Sequence, residues 1–490
     1  MKHILRFTYL TFLVLALGAC KKDFIALNPI SNANEDNFYK TEDDFNNAIY
    51  GAYSSLKSTG VYNDYMQLVG DLRSDNTEMG STASARFAFA ELSQFQVQQT
   101  SQIVESIWKD HYVGIRRVNT LLSRIDGAEI NAGTKQRITA EARFLRGLFY
   151  FNLVRVFGAV PLVTKNIETI EEAYTYGRTE VNTVYAQVVD DLTLAAAALP
   201  LSVKGEEGRA TQGAANALLG KVYLTIRDFP NAKTKLEAVI SSRQYDLLPD
   251  YNSIWNADAK NHKESIFDVQ FKTSLTASTG SPFTERYTPY LFTNLPFSST
   301  AGGYNIPRED LIAAYEIGDL RKDASLKESY TKKDGSVVRG LSGRYTYKFH
   351  DMPVAGAGAD DNWPIVRYAD VLLMYAEVLN EISFTGSGQA FDQLNAIRRR
   401  AGLAPKTLNN PIAALAINSQ EDFRLAVAKE RRVELAFEGH RWFDLVRTGK
   451  AAEVLVPKIR PSLGNEQLLL PVPLSQIDVN PSKIKQNPGY

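Results

Sequence analysis

A tight turn between two short amphipathic segments constrains the fold of this chain more than any other feature. Residues 211–226 and 231–241 each place apolar side chains at helical spacing, and residues 227–230 join them. Small side chains such as Ala217 and Ala232 stand where two such helices would cross, with larger ones beside them. The pattern predicts an antiparallel helical hairpin of the kind that stacks in helical-repeat proteins.

Helical spacing continues through much of the first half of the chain. Residues 41–56 begin with acidic residues behind Thr41, which is typical of a helix start. Residues 141–156 and 181–199 are also helical in pattern and could pair as a second, looser hairpin. The predicted fold class is therefore mostly α, with tetratricopeptide-like helical hairpins supporting a loop-rich binding face that has a few short strands.

Residues 246–361 interrupt the helical pattern. They are rich in Ser, Thr, Gly, Pro and Tyr, and only brief alternating runs, at 266–271 and 344–349, suit strands. An irregular stretch of more than a hundred residues inside a compact protein usually carries function. The predicted divisions are a signal peptide (1–19), a tether (20–31) and a single domain (32–490), which comprises helical hairpins (32–245), the loop-rich insertion (246–361), C-terminal helices (362–450) and an extended tail (451–490).

The lone cysteine, Cys20, stands directly behind a segment typical of a secretory leader. Residues 1–6 carry Lys2 and Arg6 without an acid, residues 7–17 are mostly apolar, and small residues precede the cysteine. The apolar run is too short to span a bilayer. The ending Leu-Gly-Ala-Cys resembles a bacterial lipobox, so we expect Cys20 to be acylated and to anchor the mature chain in the membrane. The alternative is a leader cleaved slightly later, which would leave a free thiol.

Composition argues against several classes of function. The mature chain loses Lys2 and Arg6 from 55 basic residues, against 55 acidic ones, and stays near neutral, which gives no electrostatic basis for binding nucleic acid. No two histidines are close enough in sequence for a paired zinc site, and no Gly-x-Ser-x-Gly elbow or Walker loop occurs. We therefore expect no cofactor, no metal and no enzymatic activity. Residues 360–362 could touch calcium, although a solvated turn is the commoner outcome.

Two glutamates share an otherwise apolar stripe on the helix predicted over residues 419–437. Glu430 and Glu434 fall on the same helical face as Phe423. Paired carboxylates can serve acid–base chemistry, or arginines can hold them in buried ion pairs that fix how the helix packs. The available arginines are Arg431, Arg432, Arg441 and Arg447 nearby, with Arg367 and residues 398–400 in neighbouring helices. The sequence favours a structural ion pair of Glu430 and Glu434 with Arg441.

Several separate motifs resemble one family of bacterial surface proteins. The most specific is ERRVELAFEGHRWFDL at 430–445, supported by RYADVLLMYAE at 367–377, LNAIR at 394–398 and AGL at 401–403. Others are NFY at 37–39, DDF at 43–45, LLPVP at 469–473, Asn-Pro at 480–481 and QNPGY at 486–490. In this order along the chain they resemble the SusD/RagB lipoproteins of Bacteroidota.

The resemblance implies a helical frame with tetratricopeptide-like hairpins and a surface-exposed nutrient-binding role. It also implies a SusC-like TonB-dependent outer-membrane transporter as partner, with the lipid anchor in the outer membrane and the protein facing the exterior. Family ligands are commonly oligosaccharides. The quoted motifs belong to the scaffold, so they do not identify the nutrient.

Two loops carry the residue types that hold a sugar. Aromatic rings pack on the C–H face of a pyranose, while Asn, Asp and Arg hydrogen-bond its hydroxyls. The early loop (71–89), which often contacts ligand in the family, offers Arg73, Asp75, Asn76, Arg86 and Phe87, but it has no Trp. The later loop (281–304) offers Phe283, Arg286, Tyr287, Tyr290 and Tyr304. Trp255 is a further candidate.

Three functions remain open at this stage. Glycan capture and delivery to a transporter is the interpretation that the resemblance favours. The same fold could bind peptide or another nutrient, which a groove with unpaired strand edges would indicate. A surface glycoside hydrolase is the least favoured, since it needs facing carboxylates in an open cleft.

Overall fold

The computed structural model describes residues 38–80, 87–274, 276, 279–289, 302–354, 356–457, 459 and 463–490. Within these residues the fold is mostly α-helical, as the sequence predicts. The signal peptide (1–19), the Cys20 lipidation site and the tether (20–31) lie outside the described residues. None of the helices in these ranges combines the length and apolar character that crossing a membrane requires.

The helices occupy both halves of the chain. In chain order the α-helices of the described residues are α1 (Glu42–Ser54), α2 (Tyr65–Leu72), α3 (Phe87–Gln94), α4 (Gln102–Ile125), α5 (Ala132–Phe157), α6 (Ile170–Ala173), α7 (Val181–Ala198), α8 (Gln212–Thr225), α9 (Phe229–Ser241), α10 (Phe283–Tyr287), α11 (Glu309–Ala314), α12 (Arg321–Ser325), α13 (Tyr368–Ile382), α14 (Gln389–Arg400), α15 (Gln420–Glu434), α16 (Arg441–Arg447), α17 (Ala451–Leu455) and α18 (Leu474–Val479).

The strands are short and pair only in twos within the described residues. They are β1 (Thr77–Glu78), β2 (Val160–Pro161), β3 (Arg178–Thr179), β4 (Ser265–Val269), β5 (Ile306–Pro307), β6 (Leu326–Lys327), β7 (Ser329–Thr331), β8 (Val337–Arg339), β9 (Tyr345–Thr346) and β10 (Trp363–Arg367). The antiparallel pairs are β1 with β5, β2 with β3, β4 with β10, β6 with β9 and β7 with β8.

The predicted hairpin is formed by α8 and α9. Asp228 caps α9, since its side chain accepts a hydrogen bond from the Asn231 backbone N–H at 3.2 Å. Gly220 lies where the helices cross, and a Cβ there would stand 2.6 Å from the Leu236 side chain. The small residue therefore allows the close approach that the sequence pattern predicts.

The longer helices pack in series around a shared core. Helix α4 packs on α5, α5 on α7, α7 on α8, α8 on α9 and α9 on α13, which also contacts α14 and α15. The predicted looser pair is α5 with α7, where Gly147 packs against Leu192. Buried residues of these helices form one large apolar cluster, and a smaller one lies under α11 and α15. The helices thus provide a rigid frame for the irregular segments.

The tail from residue 463 onward packs on the first helices of the chain. The Leu470 N–H donates to the Val156 carbonyl at 2.8 Å, and Leu470 is buried. Arg178 donates to the carbonyls of Phe157, at 3.0 Å, and Lys485, at 2.8 Å. The guanidinium therefore ties the end of α5 to the tail.

Candidate functional site

The two predicted ligand loops meet on one side of the frame. Strand β1, in the early loop, pairs with β5, which directly follows the later loop. The Gly80 N–H donates to the Gly303 carbonyl at 2.9 Å, and the Arg308 N–H donates to the Asn76 carbonyl at 2.9 Å. Segments separated by more than two hundred residues thus form one surface.

An aromatic group lies beneath this junction. The Phe89 ring is centred 4.5 Å from that of Tyr304 and 5.8 Å from that of Tyr65. The Arg286 guanidinium lies 5.7 Å from the centre of the Tyr304 ring, within cation–π range. The rings of Tyr65 and Tyr304 are almost fully buried, so they support Arg286 and do not offer an open stacking surface.

Arg286 is held at the surface by a buried acid. Its Nη1 lies 3.0 Å from Asp64 Oδ2, and its side chain keeps 32% of its exposure while that of Asp64 keeps 4%. Burial raises the pKa of Asp64 to about 6, and the Arg286 charge opposes that rise. The pair fixes the guanidinium with one edge turned toward solvent.

A cleft of about 370 Å³ opens beside Arg286. The described residues that line it are Lys57, Asn63, Phe271, Thr279, Gly280, Ser281, Pro282, Glu285, Arg286, Gly356 and Gly358. Hydrogen bonds from Gly280 N to Ala357 O, 3.1 Å, and from Ser281 N to Ala359 O, 2.7 Å, join two of its walls. The floor includes Phe271, which is buried.

The lining chemistry suits a polar, hydroxyl-bearing ligand. Arg286 and Lys57 supply donors, Glu285 supplies acceptors, and Asn63 supplies both. Three of the lining residues are glycines, which bring backbone N–H and C=O groups to the surface of the cleft. Of these residues, sequence reasoning selected only Arg286. Lys57 and Asn63 were missed because they lie in an irregular break between α1 and α2, outside the loops chosen by composition.

Three residues predicted in the early loop are structural in this fold. Arg73 is buried between the rings of Phe95 and Trp442, each centred 4.7 Å from its guanidinium. Asp75 is buried and paired with Arg441 and Arg432. The Asn76 side-chain oxygen accepts from Arg432 Nε at 2.8 Å. The prediction of ligand contact is corrected for all three, because tertiary packing has turned their side chains inward.

The later loop gives a mixed outcome. Phe283 and Tyr287 are buried, and the Tyr287 hydroxyl donates to Gln67 Oε1 at 2.6 Å. Tyr304 is 8% exposed, and Trp255, 6% exposed, packs under Lys348 and Arg367. These four aromatics are corrected from ligand candidates to core residues. Arg86, Tyr290 and the side chain of Phe87 lie outside the described residues.

The glutamate stripe of α15 lies in a buried cluster of arginines. Glu434 Oε1 accepts from Arg367 and Arg400, and its Oε2 lies 3.1 Å from Arg321. Arg321 also pairs with Glu430 at 2.6 Å. Burial disfavours ionised Glu434, yet Arg400, Arg367 and Arg321 together hold its pKa far below the ordinary value. The Glu434 carboxylate thus stays charged, and the side chains of Glu430 and Glu434 are both buried.

Arg441 does not belong to this cluster, which corrects the predicted pairing. Its Nε lies 2.8 Å from Asp75 Oδ1, in the early loop. Glu430 pairs with Arg398 at 3.2 Å as well as with Arg321. In the part of the chain that the structure describes, no group of three or more His, Cys, Asp or Glu side chains is placed to hold a metal ion.

Comparisons with known proteins agree with this architecture. The family model described as "SusD family" matches residues 327–490, and the model described as "Starch-binding associating with outer membrane" matches residues 24–224. The two matches do not overlap, and together they span more than half of the chain. The chain belongs to the SusD/RagB family.

Individual relatives are similar over nearly their whole length. SusD-like protein P2 of Formosa agariphila is 27% identical, and the alignment covers 98% of this chain and 99% of the relative. A laminarin-binding SusD-like protein of known structure is 29% identical with a TM-score of 0.79, covering 92% of this chain and 100% of that one. A SusD superfamily protein from Parabacteroides distasonis is 27% identical with a TM-score of 0.79, covering 92% and 99%.

Proposed function

We propose that this protein is a surface-exposed lipoprotein that binds an oligosaccharide and delivers it to a SusC-like TonB-dependent outer-membrane transporter. Family membership supports the class of function, and one family description names starch binding and association with the outer membrane. A relative at 29% identity is a laminarin-binding protein. The leader and Cys20 support the lipid anchor.

The observation that carries the proposal is the cleft beside Arg286. Its lining includes residues 281, 282, 285 and 286 of the later loop, and it offers donors and acceptors, among them an Arg286 side chain held by Asp64. The alternative of catalysis is disfavoured because the paired carboxylates of α15 are buried and occupied by arginines. The cleft therefore supports a protein that holds its ligand without transforming it.

An affinity screen tests the binding step. The chain from Lys21 to Tyr490 keeps every residue that the structure describes, and it would be titrated with laminarin, starch and other oligosaccharides and with short peptides. We expect binding of an oligosaccharide, with the ligand recovered unchanged. Binding of peptides alone would replace the glycan proposal with the peptide alternative, and cleaved product would overturn the proposal of a non-enzymatic role.

A pair of asparagine variants locates the site. Asn63 lines the cleft, whereas Asn252 is exposed and is not among the described lining residues. Asn63→Ala is expected to weaken oligosaccharide binding about tenfold, through loss of hydrogen bonds to hydroxyls. Asn252→Ala should leave the dissociation constant unchanged. Equal effects of both variants would place the site elsewhere.

Membrane attachment and partnership need separate measurements. Mass spectrometry of the mature protein is expected to find an acylated Cys20, and Cys20→Ala should move the protein out of the membrane fraction. Co-isolation with a TonB-dependent transporter from detergent-solubilised outer membranes would support delivery. A protein that binds glycan but never accompanies such a transporter would limit the function to capture.

A further inference from the structure

Two cationic side chains face the cleft, and one of them lacks an acidic partner. The Lys57 ammonium lies 5.2 Å from the centre of the Phe271 ring. Over the described ranges it makes no hydrogen bond and no ion pair. A half-buried ammonium without an anion is uncommon, because burial disfavours the charge unless it is compensated. The position is therefore suited to a negative group brought by a ligand.

Arg286 supplies the second cation in a different geometry. Asp64 engages its Nη1, and Tyr304 lies beneath the guanidinium, so the side chain is fixed before any ligand arrives. The planar fork of arginine matches a carboxylate or sulfate, whereas the lysine ammonium acts as a point charge. Together they offer one oriented and one adaptable contact to an anion.

Lys57 differs from Arg286 in having no ion-pair partner among the described residues, because the Arg286 charge is already engaged by Asp64. Glu285 is the acidic residue among the described lining residues, and burial raises its pKa against the effect of Arg286. Lys260 stands behind Phe271 and donates to the carbonyls of Phe271 at 2.7 Å and Asp360 at 2.8 Å. Burial first, and then the charge of Lys260, lower the pKa of Lys57. An anion bound beside Lys57 would oppose both effects, because a nearby negative charge favours the ammonium.

We infer that the cleft takes an anionic oligosaccharide, with a carboxylate or sulfate group held between Lys57 and Arg286. The inference rests on the proposed glycan-binding function and adds the class of sugar. Asn63 and the backbone groups of the glycine-rich wall then bind hydroxyls of the same ligand.

Matched ligands separate charge from sugar binding in general. The Lys21–Tyr490 chain would be titrated with an oligogalacturonate, with its fully methyl-esterified form, with a sulfated galactan oligosaccharide and with a neutral laminarin oligosaccharide. We expect at least one acidic ligand to bind about tenfold more tightly than the neutral ones, as a charge-assisted contact implies. Comparing the galacturonate with the sulfated galactan shows which anionic group the cleft prefers. Higher salt should weaken the binding of the acidic ligands only.

Three variants test the residues. Lys57→Gln removes the charge but keeps a hydrogen-bond donor, so it should weaken binding of the acidic ligand about tenfold and affect the neutral ligands much less. Glu285→Gln removes the opposing negative charge and should therefore strengthen binding of the acidic ligand. Lys233→Gln removes an exposed lysine of α9 that is not among the described lining residues, so it should change the affinity for neither the acidic nor the neutral ligands. Circular dichroism checks that all three variants are folded.

The outcomes distinguish the two proposals. If neither the free galacturonate nor the sulfated galactan binds more tightly than the neutral ligands, or if Lys57→Gln leaves the affinity for the acidic ligand unchanged, the anionic preference is overturned while glycan binding stands. Binding of no glycan at all overturns the proposed function and this inference with it. Tighter binding of the acid that depends on Lys57 supports both.

Discussion

Arg367 Nη1 lies 3.0 Å from Glu434 Oε1, and both side chains are buried. The arginine also pairs with Glu438 at 2.7 Å and with Glu264 at 2.6 Å. Because Arg367 ends β10 and Glu434 ends α15, their contact joins the strand pair to the C-terminal helices. The register of these elements is thus set by charge as well as by apolar packing.

Glu434→Gln is expected to lower the free energy of unfolding by about 3–5 kcal/mol, since three arginines would keep their buried charges with one acid fewer. Urea denaturation measures the change. Oligosaccharide affinity should remain nearly intact, because Glu434 does not line the cleft. Glu453→Gln removes the acid of an exposed pair with Lys450 and serves as a control that should change little. Normal stability with lost binding would contradict the structural role.

Asp75→Asn should reduce stability without reducing ligand affinity. Asp75 is buried and pairs with Arg432 at 3.0 Å and Arg441 at 2.8 Å, so the variant leaves two arginines short of a counter-charge. A loss of about 3–5 kcal/mol is expected from denaturation curves. Titration calorimetry on the folded variant checks the affinity. A large loss of affinity in a stable variant would return Asp75 to the ligand site.

The pH dependence of stability should include a contribution from Asp268. Burial raises its pKa from 3.8 to about 7, and in the part of the chain described its Oδ1 has no hydrogen-bond partner. The folded state therefore holds the proton more tightly. Its contribution to stability is complete below about pH 4 and is lost as pH rises through about 7.

Asp268→Asn tests that contribution, because the amide cannot ionise. Between about pH 4 and pH 7 the free energy of unfolding of the natural protein should fall, relative to the variant, by about 1.4 kcal/mol for each pH unit. Urea denaturation at pH 4.5, 6 and 8 gives both slopes. The exposed Asp258→Asn should keep the slope of the natural protein, and parallel curves for Asp268→Asn would refute the assignment.

Two helical glycines should respond oppositely to alanine. A Cβ at Gly70 in α2 would stand 2.1 Å from the Gly439 carbonyl oxygen, whereas one at Gly51 in α1 meets nothing within 4 Å. Gly70→Ala is expected to cost about 1–3 kcal/mol through overpacking. Gly51→Ala should gain up to about 1 kcal/mol from helix propensity. Thermal melting of the two variants measures both effects. Stabilisation by both substitutions would contradict the close contact between Gly70 and Gly439.

The sequence was sufficient to predict an element where residues close together in the chain determine its structure. The α8–α9 hairpin was predictable because its small residues, its turn and its cap lie within thirty residues of one another. The acids of α15 were recognised by spacing alone. Their partner Arg321 was not, because it lies in the loop-rich segment and is 113 residues away from Glu434. No local sequence pattern indicates a contact between residues so far apart in the chain.

The same difference between local and long-range contacts applies to the two predicted ligand loops. Composition selected the two segments that meet through β1 and β5, but it could not tell which side chains would face inward. Asp75 has the chemistry of a sugar contact, yet its partner Arg441 lies 366 residues further along the chain. Lys57 was missed because an isolated lysine beside a helix end carries no signal until the fold brings Phe271 beneath it.

The attachment of the tail to the first helices affects the order in which the molecule can be completed. Val156 and Phe157 are synthesised well before Leu470 and Asn487, which donate hydrogen bonds to their carbonyls. The carbonyls at the end of α5 must therefore wait for residues 470 and 487 before they find these partners. A chain that ends before residue 470 is accordingly less stable than one that includes these contacts.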